Sequence, residues 1–171
     1  APNIVPAHTS ARYIIRGETV KDMEELRVKV RHCFEAGALA TGSKLEIKGG
    51  DKPYTEMHHD AAMAEIYRRN AESLGRSFDI PAKARAFITP ETAARFSAST
   101  DMGNVSLALP SIHPMIGIDS LPAVNHQPEF TAHCVSPAAD QALWDGALAM
   151  AWTVIDMAAD LNLRKRLLAR H

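Results

Sequence analysis

A histidine standing outside any amphipathic pattern carries the first chemical promise of this chain. His126 opens the run His126-Gln127-Pro128-Glu129-Phe130, and a run of small residues, Ser99-Thr100-Asp101-Met102-Gly103-Asn104-Val105-Ser106, precedes it. Neutral imidazole is the commonest side-chain ligand of a divalent ion, and function concentrates on loop residues held by rigid elements. A surface histidine is the plainer reading, and both stay open on residue type alone. Asp101-Met102-Gly103-Asn104 reads as a turn. Gly103 has no Cβ, so backbone amides there can approach a substrate closely. Asn3 and Arg16 are individually weak, but a two-pronged guanidinium and a neutral amide together suit a carboxylate.

Two other groupings have tempting spacings. His58-His59-Asp60 contains an H-x-D pattern that could place two metal ligands on a bend. Such sites usually sit at the end of a buried apolar strand, whereas Tyr54-Thr55-Glu56-Met57 precedes this one and a surface helix follows. Asp60 is therefore read as a helix cap. Glu24-Glu25 could mimic a catalytic pair of glutamates, but it falls in an early turn of an amphipathic helix, where negative charge suits the helix dipole.

The elements that must position these residues are visible in the pattern. Alternation from Ala11 to Glu18 predicts a strand, and Thr19 offers an N-cap with Asp22 as its capping-box partner. Met23, Leu26, Val30, Cys33 and Phe34 follow at helical spacing until Thr41-Gly42. Lys44 to Lys48 predicts a second strand, so residues 11–48 read as one layer of an α+β sandwich. Asp60 caps a helix carrying Met63, Ile66, Tyr67 and Leu74, which stops at Gly75. A short helix is expected from Thr89 to Phe96, and short buried strands or turns at Leu107–Leu109 and Ile112–Ile118. Ser136 with Pro137 at the first helical position starts a helix of about 25 residues. It is apolar nearly all round, as a helix packed deep against a sheet would be.

Composition narrows the classes. A chain of 171 residues with 46% hydrophobic and 23% charged residues can bury a core. A net charge of −1 argues against an electrostatic hold on nucleic acid or an anionic membrane. No apolar run reaches the ~20 residues of a membrane span, and no signal sequence opens the chain. Cys33 and Cys134 form no CxxC pattern and read as buried reduced thiols in a cytoplasmic protein. Arg164-Lys165-Arg166, interleaved with leucines, reads as a solvated helix face rather than a nucleic-acid patch.

Three stretches carry a resemblance: Ala1-Pro2-Asn3-Ile4-Val5-Pro6 leading into Tyr13-Ile14-Ile15-Arg16; Cys33-Phe34-Glu35-Ala36 to Ala40-Thr41-Gly42; and Ser99–Ser106 with His126–Phe130. With them the sequence resembles the dinuclear metal amidohydrolases and carboxypeptidases of peptidase family M twenty. The relatives include aminoacylase, allantoate amidohydrolase and glutamate carboxypeptidase, and the nearest look is to the aminobenzoyl-glutamate hydrolase and dipeptidase branch. The resemblance implies an α/β fold: residues 1–57 as the latter part of an α+β (ferredoxin-like) dimerisation domain, residues 58–171 as the C-terminal part of a zinc-peptidase-like catalytic domain. It implies His126 as a metal ligand, and Asn3 and Arg16 as a grip on the carboxylate of a small-molecule substrate. Gly103 and Asn104 would line the pocket. Two divalent ions (zinc or manganese) and a homodimer formed through the lid domain are implied for the parent enzyme, which would cleave an N-acyl amino acid, an aminobenzoyl-glutamate-like conjugate or a dipeptide. The family's H-x-D ligands, bridging aspartate and paired glutamates precede the dimerisation domain and have no counterpart here. The expectation is thus a C-terminal fragment, inactive by itself. A non-catalytic dimerisation or ligand-binding module, pairing through an edge strand of residues 11–48, is the alternative from another class.

Overall fold

The computed structural model describes residues 3–79 and 100–169; Ser99 and the expected Thr89–Phe96 helix lie outside the described residues. The chain divides into two units, Ala1–Glu56 and Met57–His171.

The first unit is organised by one helix, α1 (Val20–Thr41), and both its ends are closed by the residues that the pattern singled out. Thr19 accepts from the Asp22 backbone N–H while Asp22 accepts from the Thr19 backbone N–H, completing a capping box. The Val20 N–H, another donor without a partner inside the helix, donates to Glu56 Oε2 at 3.0 Å. A carboxylate is thereby brought back to the positive end of the helix dipole. At the other end Gly42 adopts φ +64°, and the Ser43 N–H donates to the Ala38 carbonyl at 2.9 Å. The apolar stripe of α1 meets the preceding segment through Tyr13 and Phe34, whose ring centroids lie 5.0 Å apart.

The two strands expected in this unit are not formed. Residues 11–17 and 44–48 join no ladder, and Tyr13, Ile14, Leu45 and Ile47 are exposed. Alternation marks a segment fit to be half buried, but a strand persists only where a neighbour satisfies its N–H and C=O groups. The described residues supply no such neighbour. Among them the architecture is helical rather than α/β, and the one sheet-like contact is an isolated parallel bridge between His59 and Ser111.

The second unit is built from α2 (Ala61–Ser73), α3 (Met102–Ala108), α4 (Pro128–His133), α5 (Pro137–Ala159) and α6 (Leu161–Leu168). Its core lies where α2 packs on α5, with Tyr67, Ala71 and Ala149 buried and Leu74 and Ile112 closing around them. Ala71 and Ala149 have no exposed surface at all. Their small side chains let the two helix backbones approach. Polar bonds cross the same contact: Asn70 Nδ2 donates to Asp156 Oδ2 at 3.0 Å and to Thr153 Oγ1 at 3.3 Å.

An ionic tie also crosses this unit. Arg76, just past α2, donates to the Asp145 carboxylate of α5 at 2.6 and 2.7 Å, and through Nη1 to the Gly117 carbonyl at 3.2 Å. Gln141 Nε2 donates to the other carboxylate oxygen at 2.8 Å. Asp145 is buried, so its charge is stable only because these partners replace water.

Ser136 caps α5 and Pro137 takes its first position as expected, but the expected burial against a sheet is not found. Leu143, Trp144, Val154 and Ile155 are exposed by more than 60%. An all-round apolar helix needs cover on every side, and the described residues cover α5 chiefly from the α2 side. Leu107 and Leu109 are likewise exposed, one inside α3 and one at its end, and Ile112–Ile118 joins no ladder beyond Ser111. The cysteines also depart from expectation: Cys33 and Cys134 are free and exposed, because each falls on the outer side of its helix or helix end.

Candidate functional site

The residues Asp101–Asn104 form the start of a helix rather than a free turn. α3 begins at Met102, and Asp101 makes no side-chain cap. Gly103 is buried and Asn104 is exposed, one helix step apart. Ser106 explains why this short helix is held in place. Its buried hydroxyl donates to the Gly103 carbonyl and accepts from the His58 N–H at 2.9 Å. The Asp60 N–H donates to the Ser111 carbonyl at 2.9 Å, so the segment after α3 is fastened to the same stretch of chain.

His126 lies on a loop between Ile118 and α4, exposed, with φ +68°. A non-glycine residue in the left-handed region gives up roughly 1–2 kcal/mol. Such conformations persist where surrounding bonds impose them, and they cluster at functional sites. Those bonds are present. The Ala123 N–H donates to the Ser120 carbonyl and Ser120 Oγ to the Ala123 carbonyl, both at 2.9 Å, and Ala123 is buried. The Val124 N–H donates to Gln127 Oε1 at 3.1 Å, and the Phe130 N–H to the Gln127 carbonyl at 3.1 Å.

Asn3 and Arg16 belong to the first unit and are both exposed. The next residue, Gly17, lies against the start of α1, in a way that the sequence pattern did not flag. A Cβ on Gly17 would lie 2.5 Å from the Met23 backbone nitrogen, so only glycine lets the chain pass this close to the first turn of α1. A glycine wedged between an alternating run and an N-cap was the available signal.

The competing groupings resolve as structural. Asp60 Oδ1 accepts from the Met63 N–H at 3.0 Å as the cap of α2, and its carboxylate takes both Arg166 nitrogens at 2.6 and 2.9 Å. These bonds, the Arg166 guanidinium foremost, hold the Asp60 carboxyl below its ordinary value. Arg166 lies on an exposed face of α6, as the pattern suggests, and from there it also ties α6 to the cap of α2. Glu24 pairs with Arg27 on the surface of α1. Tyr67 is displaced upward by burial, as a core phenol should be.

No three histidine, cysteine, aspartate or glutamate side chains converge as a metal-holding group among the described residues. These residues therefore do not fit a complete dinuclear site. His126 can offer a single donor, through whichever ring nitrogen its neighbours leave free.

The chain is similar to peptidases. Two relatives are Xaa-Arg dipeptidases: the human protein is 34% identical over 157 residues and the mouse protein 33% identical over 159. Each match covers 91% of this chain and 34% of the relative. The chain thus spans about a third of the length of the curated relatives it matches. No family model matches the sequence, and no solved structure matches the fold. No helix of the described residues is long and apolar enough to cross a membrane.

Proposed function

We propose that this chain is part of a dipeptidase of the M twenty type, acting on a small substrate with a free carboxylate. The observation that carries the reading is the 34% identity to a Xaa-Arg dipeptidase over nine-tenths of the chain. A dipeptide ending in arginine is the substrate to try first. In this reading His126 donates to one of two divalent ions, zinc or manganese, whose remaining ligands come from outside residues 1–171. Arg16 and Asn3 receive the substrate carboxylate, and Gly103 and Asn104 line the pocket. Residues 1–57 act as the latter part of the lid and dimerisation domain, and residues 58–171 as the C-terminal part of the catalytic domain. The work is done as a homodimer.

Hydrolysis of Xaa-Arg dipeptides by the protein as its gene encodes it tests the reading directly. His126→Ala is expected to abolish turnover. Arg16→Ala is expected to raise KM about tenfold to a hundredfold, the worth of a hydrogen bond to a charged group. A substrate whose carboxylate is capped as an amide should lose that difference. Residues 1–171 by themselves are expected to hydrolyse nothing. Full turnover in His126→Ala would overturn the site, and a full-length protein that dimerises without hydrolysing any dipeptide would favour the module reading.

A further inference from the structure

We propose that Gln127 is a positioning residue for His126, a role that rests on the reading of His126 as a site residue. Gln127 is the residue before the first turn of α4, where a side chain ordinarily turns forward to cap the helix. It makes no such cap. Its side-chain oxygen instead reaches back and accepts the Val124 N–H at 3.1 Å, closing a ring around Asn125 and His126. Its backbone carbonyl accepts the Phe130 N–H, so the same residue is anchored to α4. On the far side the loop is fixed by the paired Ser120–Ala123 bonds and by the burial of Ala123.

His126 is thus clamped between two fixed points in a left-handed conformation that its Cβ disfavours. Release of the Val124–Gln127 bond lets His126 relax toward an extended φ, which swings its Cα–Cβ bond and carries the imidazole away from its present direction. A displacement of about 1 Å at a reacting centre is worth on the order of a hundredfold in rate. The side chain of Gln127 therefore serves the direction of the neighbouring ring more than the stability of α4.

Hydrogen exchange and kinetics on the complete protein, in Gln127→Ala, Gln127→Glu and His126→Ala, decide it. In Gln127→Ala the Val124 amide should exchange about tenfold faster or more. Turnover of an Xaa-Arg dipeptide should fall in kcat by about tenfold to a hundredfold, with KM little changed. Gln127→Glu keeps an acceptor oxygen at the same reach and should restore both. Unchanged Val124 exchange in Gln127→Ala overturns the brace. Faster exchange with unchanged kcat, while His126→Ala is inactive, overturns the positioning role alone. An active His126→Ala overturns the reading of His126 and with it the consequence for turnover, while the exchange result still decides whether Gln127 braces the loop.

Discussion

The two units of this chain are held by different means. In the first, α1 has no buried residue, and its order comes from its ends: a capping box, the Glu56 carboxylate on the first N–H, and a left-handed glycine at the close. In the second, α2 and α5 bury Tyr67, Ala71 and Ala149 against each other and share the Arg76–Asp145 pair. The first is stabilised mainly by single hydrogen bonds at the two ends of one helix, most of them local, and the second by contacts between two helices far apart in sequence. Local bonds contribute about 1 kcal/mol each and can be lost singly. A buried ion pair fails all at once, because the abandoned charge has nothing to replace water.

Substitutions sharpen the contrast. Asp145→Ala should have the largest effect, about 3 kcal/mol or more, because it strands the Arg76 guanidinium and removes the acceptor of Gln141. Urea denaturation followed by the tryptophans of α5 would read it, and a loss under 1 kcal/mol would mean that water already reaches the pair. Gly17→Ala comes next, at about 2 kcal/mol, since its Cβ meets the backbone of Met23 and neither side can yield as a side chain would. Circular dichroism during thermal unfolding should show it as an early loss of helix.

Thr19→Ala should cost about 1 kcal/mol and fray only the first turn of α1, seen as faster amide exchange at Asp22 and Met23. The smallest effect concerns acid. The folded-state value of the Asp60 carboxyl is held below its ordinary 3.8, so the Arg166 bond contributes stability that is fully present above that pH. The contribution is lost as pH falls through the lower folded value. Asp60→Asn keeps an N-cap but lacks the charge, so the stability gap between the two proteins should close in that acid window. A gap that stays constant would show that the Arg166 contact is not ionic in effect.

The candidate residues are divided between the two units. Arg16 and Asn3 come from the unit shaped by local signals, and their setting before a capped helix was legible from Thr19 and Asp22. His126 comes from the unit shaped by distant contacts. Its loop character was legible from its place outside any amphipathic pattern, but its left-handed backbone was not. The bond responsible joins a side-chain amide to a backbone N–H three residues earlier, and no residue preference marks that partnership. Gly103 and Asn104 looked like a turn because small residues favour turns, and Ser106 recruited them into a helix by bonding to His58, far away in sequence.

What the sequence determined by itself is where each long helix begins, and where the first of them ends. Thr19, Gly42, Asp60 and Ser136 act on backbone groups within a few residues, so their effect needs no other part of the molecule. What only the tertiary structure decided is which patterned segments become regular and which charges become structural. Residues 11–17 and 44–48 have the alternation of strands and find no ladder. Arg166 has the look of a solvated charge and ties two helices together. A strand and an ion pair both require a partner at a set distance, and a pattern along one segment states the need without supplying the partner.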